Sequence, residues 1–171
     1  AMGIIEWERG RFDEAYGHFE AALRTFQALN RTGDAATTLA SLGVTLDAMG
    51  RRVEARKSLE EACTLHRAAG DRPGEARTLG ALADVLRRLG EPDRAVECGT
   101  ASLRLRRECG DRVGEGWMLQ RLALAHVERG ADTAARACAA AAERIAAETE
   151  DRELAAACGE LAGAPGRARG R

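Results

Sequence analysis

Apolar residues recur three and four positions apart along most of the chain, as in Leu39, Leu42 and Leu46 and again in Leu79, Leu82 and Leu86. That is the spacing of one buried helix face. Nine helices are predicted, at about 2–9, 11–30, 34–49, 51–69, 74–89, 91–109, 114–129, 131–148 and 151–162. Gly-Asp at 70–71 and 110–111 and Glu-Asp at 150–151 mark return turns, with Asp71 and Asp111 placed to cap the next helix. Pro73 and Pro92 stand near helix starts, where a missing donor costs little. Gly33-Asp34 is three residues out of phase with Gly70-Asp71, which predicts a first return turn that closes differently or a helix over 11–30 that runs a turn longer.

The helices repeat. Gly10, Gly50, Gly90 and Gly130 are each 40 residues apart, and each opens a similar segment: GRFDEAYGHFEAAL, GRRVEARKSLEEAC, GEPDRAVECGTASL and GADTAARACAAAAE. Ala15, Ala55, Ala95 and Ala135 recur in phase, followed by Phe19, Leu59, Gly99 and Ala139, then by Ala22, Ala62, Ser102 and Ala142. LASLGVTLDAMG, LGALADVLRRLG and LQRLALAHVERG run up to Gly50, Gly90 and Gly130. A fixed period of this length means a stacked array in which each helix pair completes its neighbour's core. Small residues at Gly43, Ala55, Ala83, Ala95, Ala123 and Ala135 let backbones approach while leucines fill the space beside them.

In these positions the chain resembles the tetratricopeptide repeat family in its longer, roughly 40-residue form, over residues 2–162. The first-helix pattern is met by Leu39, Leu42, Gly43 and Leu46, by Leu79, Leu82, Ala83 and Leu86, and by Leu119, Leu122, Ala123 and His126. Second-helix matches are Ala55, Leu59 and Ala62, then Ala95, Gly99 and Ser102, then Ala135, Ala139 and Ala142. Gly99 and Ala139 depart from the expected bulky residue, so packing there should be closer or looser. The resemblance implies an all-α, right-handed superhelix of antiparallel helix pairs, one repeat domain over 1–162, with 163–171 a flexible tail.

Composition narrows the class further. The chain has 171 residues, of which 36 are alanine and 3 proline, with 4% aromatics. It is enough for one domain or a short array. Charges nearly cancel at 26 basic and 27 acidic residues, which argues against nucleic acid as a partner. No apolar run reaches membrane-spanning length, and the start lacks a leader's apolar core. Cysteines at 63, 98, 109, 138 and 158 match no zinc or iron–sulfur spacing, so a reduced, cytoplasmic chain is expected. Histidines 18, 66 and 126 share no register that would assemble a catalytic or metal set, and no phosphate-binding glycine loop exists. Neither an enzyme nor a cofactor or metal site is expected.

Function is then expected on the inner face, which the resemblance assigns to the first helix of each repeat. Carrying that register over selects Ile4, Trp7 and Glu8; Thr37, Ala40, Val44, Asp47 and Ala48; Arg77, Gly80, Asp84, Arg87 and Arg88; and Trp117, Gln120, Leu124, Val127 and Glu128. The expected partner-binding residues are Trp7, Arg77, Asp84, Arg87, Arg88, Trp117, Gln120 and Glu128. Arg77, Arg87 and Arg88 suit an acidic partner segment, with Trp117 as its apolar anchor. Asp84 stands among them and offers an alternative, an internal ion-pair face closed through Arg77 or Arg88. The family's groove for a terminal carboxylate needs Lys and Asn where this chain has Ala40, Val44, Gly80, Asp84, Gln120 and Leu124. The sequence looks more like modules of bacterial signalling and regulatory proteins. The preferred function is a noncatalytic groove for a peptide or protein. The alternatives are homo-oligomerisation through an exposed end carrying Met2, Ile4, Ile5 and Trp7, and a small-ligand sensor.

Overall fold

The computed structural model describes residues 2–163; the tail expected from 163 onward lies, from 164, outside the described residues. The order is α1 (Met2–Glu8), α2 (Phe12–Ala28), α3 (Thr32–Ala48), α4 (Arg52–Ala68), α5 (Arg72–Arg88), α6 (Pro92–Glu108), α7 (Arg112–Glu128), α8 (Asp132–Thr149) and α9 (Arg152–Gly163). No strand occurs among the described residues. Helices α2 to α7 each have 17 residues, and three-residue corners join them.

Every corner turns on one left-handed residue. Gly10, Gly50, Gly70, Gly90, Gly110 and Gly130 have φ between 68° and 79°, and Asn30 and Glu150 take the same region at 54° and 55°. Left-handed residues therefore fall every 20 positions, and each helix from α1 to α7 ends in a Schellman closure. At Gly50 its N–H donates to the Asp47 carbonyl at 2.9 Å, and the Arg51 N–H donates to the Leu46 carbonyl at 2.8 Å. Of the two expectations built on Gly33-Asp34, the longer helix fails: α2 ends at Ala28, and Gly33 and Asp34 lie inside the first turn of α3. The corner does close differently from the later return turns, with Asn30 as its left-handed residue, still in phase, and with no side-chain cap from Arg31. Asparagine tolerates the left-handed region better than most side chains, so no glycine is needed.

The Schellman motif usually brings an apolar pair together across the corner. Here that contact is polar in four places. Glu6 pairs with Arg11, the Arg31 guanidinium lies 5.1 Å from the Phe26 ring centre, His66 Nδ1 is 2.8 Å from Asp71 Oδ2, and Arg106 Nη1 is 2.6 Å from Asp111 Oδ2. Asp71 and Asp111 have a second duty as N-caps, accepting from the Gly74 and Gly114 N–H groups at 2.9 Å. Asp151 caps α9 in the same way through Leu154. A Cβ on Gly74 would stand 2.1 Å from Asp71 Oδ2 and 2.4 Å from His66 Nδ1, so only glycine leaves room for the caged carboxylate.

Packing is between neighbours along the chain. Helices α3 and α4, α5 and α6, and α7 and α8 form the closest pairs, and first helices also touch one another, α3 to α5 and α5 to α7. Apolar burial forms two overlapping clusters rather than one centre. The first includes Leu46, Leu59, Leu82 and Leu86; the second includes Met118, Leu122, Ile145 and Leu154. Leu79, Leu82 and Leu86 are core, at 6%, 5% and 0% exposure. At Gly99 the packing is closer: a Cβ would stand 2.8 Å from Leu122 Cδ2, so α6 presses its backbone against the α7 leucine.

Candidate functional site

First helices touch one another from α3 to α5 and from α5 to α7, and α1 joins α3 at a cavity; their shared face is a wall on which two cavities open, lined by part of the positions expected for a groove. The first, of about 280 Å³, lies between α1, α3 and α5 and is lined by Ile4, Trp7, Phe19, Ala40, Val44 and Arg77 among others. The second, of about 350 Å³, adjoins it and is lined by Trp7, Val44, Asp47, Asp84, Arg88 and Arg121 among others. Trp7, Val44 and Ala81 belong to both. Ile4, Trp7 and Val44 are 53%, 39% and 38% exposed, which is a contiguous apolar strip open to solvent.

The chemistry of the first cavity follows from its hydroxyls. Thr37, Ser41, Thr45 and Thr78 all line it, yet each donates to a carbonyl one turn back in its own helix, at 2.8–3.1 Å as a group: Thr37 to Gly33, Ser41 to Thr37, Thr45 to Ser41 and Thr78 to Gly74. Their donors are spent, and the wall is in effect apolar. His66 contributes from below, fully buried and held by Asp71. The Gly74 N–H holds the Asp71 carboxyl below its ordinary pKa; burial opposes this, and the His66 contact and the charge of Arg77 lower it further. Arg77 stands at the rim, exposed, with no carboxylate in ion-pairing range among the described residues.

The second cavity adds four charged residues to an otherwise apolar lining, and these charges are already matched: Arg88 pairs with Asp47, and Arg121 Nη1 lies 3.0 Å from Asp84 Oδ2. Beside it on the same helices, Arg87 Nη1 lies 2.6 Å from Glu128 Oε1. Each pair ties one first helix to the next. Asp84 therefore meets Arg121 of the following repeat rather than Arg77 or Arg88 of its own helix, because the next helix brings a guanidinium across the wall. Burial pushes the Asp84 carboxyl up, and Arg121, Arg88 and Arg87 oppose that. Two buried atoms here have no hydrogen-bond partner among the described residues, Asp47 Oδ1 and Arg87 Nε.

The eight expected residues thus divide. Trp7 and Arg77 meet at the first cavity, and Trp7, Asp84 and Arg88 at the second. Arg87 and Glu128 hold each other. Trp117 is half-buried and lies apart, its indole N–H donating to Asp151 Oδ2 at 3.1 Å, so it braces α7 against the start of α9. Gln120 is half-buried on α7. Sequence reasoning missed Arg121 and Arg106. A repeated pattern did mark the second: His66 and Arg106 each precede Asp-Arg-x-Gly by five residues, at 71–74 and 111–114.

Among the described residues no group of His, Cys, Asp or Glu is placed to hold a metal, and no helix is long and apolar enough to cross a membrane. A family model described as tetratricopeptide repeat matches residues 1–68, 54–108 and 74–148. No curated protein matches the chain. Among solved structures, BtubC (BKLC) from P. vanneervenii superposes with a TM-score of 0.80 at 18% identity, covering 99% of this chain and 66% of that one. This chain is thus shorter by about a third than BtubC. A Podosopora anserina protein with nearly identical repeats of kinesin light chain type superposes at 0.75 and 17% identity, covering 95% of this chain and 84% of its own. A variant of that protein gives 0.76 at the same identity. At these identities the likeness concerns the fold.

Proposed function

Since the chain belongs to the tetratricopeptide repeat family, whose repeats generally mediate protein–protein interaction, we propose that it is a noncatalytic module that receives a segment of a partner protein along the wall of α1, α3, α5 and α7. One observation carries this reading. The first cavity joins exposed Ile4, Trp7 and Val44 to hydroxyls that have no donor left to offer, with Arg77 unpaired at its rim. Such a surface gains by covering apolar area with a side chain from outside. The segment inserts an apolar side chain between Trp7, Val44 and Ala81. Arg87 and Arg88 serve the scaffold more than the partner, because an incoming carboxylate must displace Glu128 or Asp47 to reach them.

Partners captured from a lysate of the source cells, then titrated by calorimetry, test the reading. V44D should abolish binding, while E61R, on exposed α4 away from the wall, should leave it intact. Equal loss in both, or in neither, sinks the groove. A second reading is a homotypic contact, favoured by the exposure of Met2 and Ile5, at 59% and 41%. Light scattering over a concentration series separates the two, since a persistent monomer excludes the homotypic contact.

A further inference from the structure

The first cavity has a floor that differs from the wall above it. His66 belongs to α4, a second helix, yet its imidazole lines the cavity between α3 and α5. Its side chain is 2% exposed. Nδ1 is sealed from solvent in a bent contact 2.8 Å from Asp71 Oδ2. The Asp71 carboxyl, held below its ordinary pKa, stays ionised and repels a bare lone pair at that distance, which keeps the ring proton on Nδ1. In the neutral imidazole Nε2 is then an acceptor. It is not among the sealed polar atoms and has no hydrogen-bond partner among the described residues, which leaves its lone pair to the cavity. The counterpart of His66 one repeat on is Arg106, which has donors and no lone pair, so this floor is particular to α4.

The rest of the lining fixes what that acceptor can meet. Thr45 and Thr78, 0% and 2% exposed, have spent their hydrogens within α3 and α5, so their oxygens too can only accept. Trp7 and Phe19 add aromatic faces, and α1 lies directly on Phe19 at Gly3, where a Cβ would stand 2.9 Å from the ring. The cavity of about 280 Å³ is close to twice the roughly 150 Å³ that takes up a benzene. Apolar sides over a floor of acceptors suit a flat apolar body that carries one hydroxyl. We propose that this cavity is a binding site for a small free phenol, whose hydroxyl donates to His66 Nε2 while Trp7, Phe19 and Val44 enclose its ring. A free molecule fits better than a partner's tyrosine, because the acceptor sits at the level of the second helices, beneath the face along which a polypeptide would run.

Calorimetry on the whole chain with p-cresol, and with toluene as its match lacking a donor, tests the site. Wild type should bind one p-cresol about tenfold more tightly than toluene. H66N keeps a donor toward Asp71 and removes Nε2; folded by circular dichroism, it should bind the two equally. A40L fills the cavity from α3, leaves His66 in place and should bind neither. The nitrogen-15 shift of His66 Nε2 in the wild-type chain should move with p-cresol and stay with toluene, and it decides alone if H66N fails to fold. N-acetyltyrosine amide, the same phenol on a peptide backbone, should bind at least tenfold more weakly than p-cresol; equal affinity would make this a partner's tyrosine pocket and overturn the free ligand. Equal binding of p-cresol and toluene by wild type, p-cresol binding that survives A40L, or an unmoved Nε2 shift also overturns the proposal. The site is independent of the groove reading: p-cresol is titrated with no partner present, and partner capture with V44D tests the groove with no phenol.

Discussion

Glycine-to-alanine changes at two positions of the first helices should move stability in opposite directions. Alanine is intrinsically better than glycine within a helix by about 1 kcal/mol. At Gly43 the new Cβ would stand 2.6 Å from Leu59 Cγ, 2.8 Å from its Cδ2 and 3.2 Å from the Ala55 carbonyl oxygen. Leu59 is wholly buried, and the carbonyl belongs to the α4 backbone, so neither neighbour yields without moving α4 against α3. Overpacking of this kind costs about 1–3 kcal/mol, which outweighs the propensity gain when the contact is with a branch point and a backbone. G43A is expected to lose about 1–2 kcal/mol. At Gly80 the nearest atoms would be Ser102 Oγ at 3.5 Å, Met118 Sδ at 3.6 Å and Arg106 Nη2 at 3.8 Å, all ordinary contacts. G80A should therefore gain up to about 1 kcal/mol. For a chain of this length that is a melting shift of about 2–4 °C per kcal/mol, upward for G80A and downward for G43A. Thermal melts followed by circular dichroism read both. If G43A melts as high as G80A, the close approach of α3 to α4 at Gly43 is not what that position serves.

L82A should cost about 2–5 kcal/mol in urea unfolding, because a 5% exposed leucine of the first cluster leaves a void, while V44D on the open wall leaves the midpoint nearly unchanged. D71A should cost about 1 kcal/mol at neutral pH through the lost cap. Because the folded-state pKa of Asp71 lies below its ordinary value of 3.8, the advantage is present above that value and is lost as pH falls below it through the lower folded pKa, so the two unfolding curves should converge in acid. A persistent gap there would assign the effect to packing. Thiol titration of the native chain should label Cys109 fast and Cys63 only on unfolding, since Cys109 is exposed and burial pushes the Cys63 thiol up to about 12. Equal rates would contradict the burial of α4.

The scaffold was legible because each of its requirements repeats. The leucines at 79, 82 and 86 and the alanines at 55, 95 and 135 are fixed by packing that is nearly identical in every unit, so the spacing of small and large side chains carried it. The first corner was misread for a related reason. Gly33-Asp34 looks like the later turns, but the corner needs a left-handed residue at a fixed interval, and Asn30 supplies it with a different side chain. The wall was legible by register and obscure in its pairings. Which carboxylate meets Arg88 or Arg121 depends on how far one first helix is offset from the next, and that offset is set by core contacts on the opposite face. Arg106 was hidden because its helix is assigned to the outer layer, and only the length of an arginine side chain brings its tip to the inner one.

The left-handed corners every 20 residues have a consequence for how such a chain changes length. Because α1 to α7 close on the same three-residue geometry, a cut at any of their corners leaves ends that match the ends at the corner 40 residues away. Gain or loss of one such unit preserves every downstream angle, whereas a single inserted residue inside a helix rotates all that follows by about 100°. The molecule grows or shrinks in whole repeats, as a ruler marked only at fixed divisions, and a longer reach for a partner is obtained by duplication rather than by stretching any one unit.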